Sequence, residues 1–165
     1  MVVLLVPMTA TRVLTIVAAV GAGVAGGVFF AFSTFVMPAL GRIPDPAGVR
    51  AMQAINEAAP GPWLMTLLFG TAGCAIATAV LALRQGSGTT TTLCVVGCGL
   101  YLLAIVLTAA YHVPHNDALG RLDPDSAAAA RSWSTYLTQW TRWNHVRTLT
   151  CIAAASCLTV AARTV

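Results

Sequence analysis

Lysine is absent from this 165-residue chain, acids number only five, and charged residues make up 8% of it. Soluble domains carry about 25% charged residues, so the chain cannot cover its 58% hydrophobic fraction with a solvated surface. That scarcity excludes a soluble enzyme, and the apolar content excludes a disordered tail. Clustered cations are missing as well. The arginines are dispersed from Arg12 to Arg163 without a run, whereas nucleic-acid binding needs a basic patch or stripe. Nucleic acid is therefore not an expected partner. The five cysteines all lie in apolar stretches and give no disulfide framework. Cys94 and Cys98 would share a helix face, but no histidine or acid stands near them, so they read as small packing residues. What remains is a small integral membrane protein with a mean hydropathy of +0.80 and the lipid bilayer as its surroundings.

Four apolar segments, 13–40, 63–83, 91–111 and 145–162, each approach the roughly 20 residues that cross a hydrocarbon core as a helix. The alternating pattern of a membrane barrel is missing. The expected architecture is a single all-α domain over 1–165, a four-helix transmembrane bundle of multi-pass topology. Ala19, Gly23, Gly27 and Ala31 recur every four residues in the first segment. Such a stripe lets a second helix backbone approach closely, inside the bundle by preference, or in a homo-oligomer. Arginines flank both sides in similar numbers, which leaves the orientation open.

Because the spans alternate, the connections 41–62 and 112–144 fall on one membrane face, and both read as helical. Asp45-Pro46 is an N-cap and first-turn pair, followed by Val49, Met52 and Ile55 at helical spacing. Asp123-Pro124-Asp125-Ser126 opens an alanine-rich helix whose stripe of Trp133, Tyr136, Trp140 and Trp143 or Asn144 runs on into the last span. Pro114 is expected to break or kink the helix before it. All five acids and the three histidines gather on this face, if His145 opens the last span.

Ionisable groups at a span's edge face the bundle interior and pair with one another. Arg147 therefore calls for a partner, with Asp117 or Glu57 as the available carboxylates and the backbone carbonyls freed near Pro114 as the alternative. His112, His115 and His145 could also serve as metal ligands, since imidazole suits copper and non-haem iron, although His-x-x-His across a proline lacks the helical spacing of a zinc site. Trp140, Trp143 and Tyr136 have two readings, an interfacial aromatic belt or the wall of a pocket for a flat aromatic ligand.

Four motifs in order, Phe32-Ser33-Thr34-Phe35-Val36-Met37-Pro38-Ala39-Leu40, Met52-Gln53-Ala54-Ile55-Asn56, Val113-Pro114-His115-Asn116-Asp117-Ala118-Leu119 and Trp143-Asn144-His145-Val146-Arg147-Thr148, resemble the anthrone oxygenase-like family of small four-span membrane proteins. The resemblance implies an oxygenase that oxidises a hydrophobic aromatic, anthrone-type or polyketide-derived small molecule with molecular oxygen as co-substrate. Its matching positions are Asn56, Asn116, Asp117, Asn144, His145 and Arg147. His112 and His115 depart from the family's pattern, so a metal site resting on both would not be a family-wide feature.

The implied chemistry needs a base, a donor for an enolate oxygen and a dry aromatic pocket. His145 is the expected base, with a carboxylate such as Asp117 tuning it, and Asn116, Asn144 or Arg147 are the expected oxyanion donors. Asn56, Trp140, Trp143 and Tyr136 would hold the substrate. A copper or iron ion at the histidines would instead activate oxygen. The alternative from another class is a non-enzymatic scaffold or a lipid- or quinone-binding subunit, in which the same polar cluster staples the bundle.

Overall fold

A computed structural model describes the backbone of residues 2–165 and the side chains from residue 10 onward. Five helices and no strand occur among the described residues. They are α1 (2–40), α2 (Asp45–Ala58), α3 (Pro62–Gln85), α4 (Thr89–Gly120) and α5 (Ala127–Ala161). Helices start where the sequence supplies first-turn chemistry. Pro62 opens α3 and Pro46 lies in the first turn of α2, positions where a missing N–H costs nothing. Asp45 is the first residue of α2 and not its cap, which is Pro44. Ser126 caps α5, its Oγ accepting from the Ala129 N–H at 3.1 Å. Gly86 and Gly88 take φ of 136° and 159° in the turn between α3 and α4, where a side chain would be strained.

α5 lies along both α1 and α4, and α3 lies along the same two helices on the other side. Contact is close because the seams are made of small residues, among them Ala18, Ala22, Ala25, Ala75 and Ala154. A Cβ on Gly97 would sit 2.9 Å from the Leu158 Cγ, and one on Gly26 would sit 3.2 Å from the Cys151 Cβ. Two of α5's neighbours thus meet it through glycine. Cys94 and Cys98 are buried among these seams, as free thiols.

Of the expected stripe of Ala19, Gly23, Gly27 and Ala31, only Ala19 is buried, and the stripe as a whole is not the packed face. Gly23 and Gly27 are exposed, and nothing lies within 4 Å of a Cβ placed on Gly27. The buried face is offset, running Ala18, Ala22, Ala25, Phe29, because the large Phe29 must turn inward and sets the rotation of the helix.

The expectation of four spans is also corrected. Three helices, over Ala10–Leu40, Pro62–Gln85 and Thr89–Gly120, are long and apolar enough to cross a membrane. The helix carrying 145–162 is long, but its apolar part begins only after Asn144, His145 and Arg147 and ends with the helix at Ala161. Nor does Pro114 break α4. The helix continues to Gly120 through a widened π turn at Thr108–His112. Pro38 sits in the same position, two residues past the π turn Phe32–Val36. A proline ring collides with the carbonyl four residues back, and in both helices that residue, Ala110 or Thr34, belongs to the widened turn. A third π turn spans Thr66–Gly70 in α3.

At one end of the long helices, α2 and the first half of α5 pack with Met37 of α1 and Leu119 of α4 into a second core that also holds Val49, Met52, Trp133 and Tyr136. Burying side chains of this size contributes roughly 1.5–3 kcal/mol each where the reference is water. Gly48 makes the contact possible, since a Cβ there would lie 2.8 Å from the Trp133 ring. Gln53 donates to the carbonyls of Leu119 and Leu122 at 3.0 and 2.9 Å, and Arg50 pairs with Asp125 at 2.8 Å. The two connections therefore converge on one end of the molecule.

Candidate functional site

Under α2 lies a cavity of about 630 Å³. Phe29, Phe32, Met52, Ile55, Leu64, Met65, Leu68 and Trp140 supply most of its wall. Its exposed rim carries Glu57, Asp117 and Arg121, and its buried end carries Thr108, His112 and Arg147. Each of the three π turns contributes to the lining: Phe32 from the first, Leu68 from the second, and Thr108 and His112 from the third. A π turn rotates the side chains that follow it relative to an α-helix, which is why such turns recur at functional sites. Nothing in the hydrophobic periodicity announces them; the nearest signal is a proline just downstream of two of them.

Arg147 is 5% exposed. One terminal nitrogen, Nη2, donates to the Asn144 Oδ1 at 2.5 Å and the other, Nη1, to the Thr108 Oγ at 3.1 Å. The guanidinium carbon lies 4.1 Å from the Phe29 ring centroid and 5.5 Å from that of Trp140, a cation–π arrangement that replaces part of its lost hydration. Its burial agrees with the sequence-based expectation. Its partners do not. Among the described residues no carboxylate pairs with it, and the one ion pair is Arg50–Asp125. Asn144 is fully buried and its Nδ2 donates to the Phe29 carbonyl at 2.6 Å and the Ser33 Oγ at 2.8 Å. A polar chain thus joins α1, α5 and α4 through the packed interior.

His112 is 1% exposed, with its ring edge-on to Trp140 at 4.9 Å between centroids. Neither ring nitrogen makes a well-formed hydrogen bond among the described residues, although the backbone of Trp143 offers the ring a partner outside good geometry. A buried polar atom left this way costs about 1–3 kcal/mol. The Nε of Arg147 is buried without a partner as well.

Asn116 accepts at one oxygen from the Tyr136 hydroxyl at 2.7 Å and from the Trp140 indole N–H at 2.9 Å. Asn56 reaches the Tyr136 hydroxyl at 3.4 Å. Burial holds the Tyr136 phenol in its neutral form by raising its pKa, against the hydrogen bond from Asn56. Asn56, Asn116, Tyr136, Trp140, Asn144 and Arg147 are thereby gathered around one cavity or its wall.

Of the other expected site residues, His112 lines the buried end of the cavity and Asp117 its rim, while His145, His115 and Trp143 lie outside it. His145 is exposed and faces the opposite side of α5, in a shallow groove with Met37, Pro38 and Arg142. Residues one apart on a helix point about 100° apart, and with Asn144 and Arg147 turned inward His145 falls on the outer side of α5. His115 is exposed, stacked on Tyr111 at 4.0 Å and bonded to the Tyr111 carbonyl at 2.6 Å. Trp143 is 39% exposed and touches Tyr111, outside the cavity. Asp117 stays at the rim, exposed. His112, His115 and His145 are not brought together, and among the described residues no group of three or more histidines, cysteines and acids is placed to hold a metal ion. The donor set therefore does not fit the copper or iron centre that three histidines suggested. His112, named only as a metal ligand on sequence grounds, is the histidine that faces the cavity.

Comparison with curated proteins and with solved structures finds no match. A family model described as anthrone oxygenase matches residues 62–157, which include His112, Asn116, Trp140, Asn144 and Arg147. The match covers more than half of the chain, and the chain belongs to the anthrone oxygenase family.

Proposed function

We propose that the cavity binds a hydrophobic aromatic ketone of the anthrone type and carries its oxidation by molecular oxygen. The observation that supports this reading most is the pairing of His112, whose buried nitrogens lack well-formed hydrogen bonds, with Arg147, a buried cation that meets no carboxylate. A ligand that gives up a proton and becomes an oxyanion supplies what both groups lack. His112 takes the place first expected for His145 as base. It removes a proton from the carbon opposite the ketone, and Arg147 holds the enolate oxygen that results. Phe29, Phe32 and Trp140 give the flat ring system apolar faces to lie against.

The electron-rich carbon then bonds to oxygen and forms a hydroperoxide, which loses water to leave a second carbonyl. One methylene becomes one carbonyl, one oxygen atom enters the product, and the other leaves as water. The carbon gives up four electrons and dioxygen accepts four, so no further reductant is needed. The protein's part is to hold the substrate, take the proton and stabilise the oxyanion in a site shielded by α2.

Oxidation of anthrone under isotopically labelled dioxygen tests this reading. The expected result is one labelled oxygen per anthraquinone and one dioxygen consumed per turnover, above the protein-free rate. Saturable binding of anthrone without added oxygen uptake would assign the chain to ligand binding instead. The three apolar helices suit a multi-pass protein of a cell membrane, where so apolar a substrate concentrates.

A further inference from the structure

His145 and Arg142 remain outside this chemistry. They stand three residues apart on the outer face of α5 and share a groove of about 430 Å³ with Met37, Pro38, Gly41, Leu137 and Thr141. Two independent features put this groove at the boundary between membrane and water. On α1, its residues Met37, Pro38 and Gly41 bracket Leu40, where the first apolar span ends. On α5, the outer face changes character at the same level, since Leu149 and Ile152, one and two turns further along from His145, are exposed and apolar. Arg142 is exposed and meets no carboxylate within ion-pair distance among the described residues. A fixed cation with hydrogen-bond donors beside it, above an apolar floor and an apolar helix face, is complementary to an anionic headgroup with an acyl chain below it.

We infer that this groove holds one anionic phospholipid, its phosphate between Arg142 and His145 and its acyl chain against Pro38 and then Leu149. The guanidinium supplies paired donors to the phosphate oxygens, and the imidazole N–H and the Thr141 hydroxyl are placed to supply others.

Native mass spectrometry of the full chain, released from detergent after titration with phosphatidylglycerol, phosphatidylcholine or inorganic phosphate, tests the inference. The expected result is a single retained phosphatidylglycerol, at least tenfold over phosphatidylcholine, with inorganic phosphate neither retained nor displacing it. The double substitution Arg142→Gln and His145→Gln, both at exposed positions, should cut retention at least tenfold with the helical circular dichroism unchanged. The inference is overturned by equal retention of phosphatidylcholine, by retention undiminished in the double variant, by displacement with inorganic phosphate, or by a lipid-free dimer that buries the groove.

Discussion

Arg147 and Asn144, one turn apart on α5, are joined by a 2.5 Å hydrogen bond from the guanidinium Nη2 to the amide oxygen. The amide's other end is anchored on α1, at the Phe29 carbonyl and the Ser33 hydroxyl. Asn144 thus orients the cation that faces the cavity. Asn144→Leu should free that cation and leave the Ser33 hydroxyl without its partner, costing about 1–3 kcal/mol. Urea or thermal unfolding in detergent measures the loss, and turnover should fall further than stability alone explains.

Arg147→Lys keeps the charge but gives up the planar fork that spans Asn144 and Thr108. Turnover should drop on the order of 10²-fold, the scale of losing one oxyanion donor, with substrate binding much less affected. Steady-state kinetics separates the two: a change confined to KM would place Arg147 in ground-state binding only.

Tyr136 ties the two connections together, between Asn56 and Asn116. Tyr136→Phe should lower stability by about 1 kcal/mol and raise KM by loosening α2 over the cavity. The phenol's raised pKa also fixes a pH effect. Below the ordinary phenol pKa of about 10, tyrosine is neutral whether the chain is folded or unfolded, and the native state keeps its full advantage. Above it, the unfolded chain ionises first and stability is lost as pH rises. The substitution should flatten the alkaline limb of a stability profile above pH about 10; an unchanged limb would show that other groups set it.

Gly48 and Gly27 form a contrast. Gly48→Ala would push a methyl into Trp133 and should cost about 1–3 kcal/mol. Gly27→Ala, with open space around it, should be neutral or stabilising by up to about 1 kcal/mol, as expected for an exposed helical glycine. The thermal shift of Gly27→Ala tests which face of α1 is packed, and that of Gly48→Ala tests the close contact of α2 with Trp133.

The helices on the functional face were legible in sequence because their signals are local: proline in the first turn of α2, Ser126 before the alanines of α5, and a Trp133–Tyr136–Trp140–Asn144 stripe at helical spacing. The gathering of Asn56, Asn116 and Arg147 followed from the alternation of spans. What sequence reasoning missed depends on rotation. The π turn at Thr108–His112 decides that His112 looks inward, and adjacency along the chain made His145 appear to share Asn144's direction. The glycine stripe misled for the same reason, since Phe29, not Gly27, sets which face of α1 is buried. Arg147 was expected to find a carboxylate or freed backbone carbonyls, but Thr108 and Asn144 meet its terminal nitrogens and two aromatic faces its plane, all neutral groups, while Nε stays unpartnered among the described residues.

The central claim is that His112, and not another histidine, serves the cavity as base. The most direct measurement is the rate of oxygen uptake with anthrone, corrected for the protein-free rate, in detergent-purified wild type, His112→Gln and His115→Gln. His115 is exposed and stacked outside the cavity. The account expects His112→Gln to lose on the order of 10²–10⁴-fold, the range for removing a general base, while His115→Gln stays within about twofold of wild type. Turnover retained in His112→Gln, or lost equally in both variants, would contradict it.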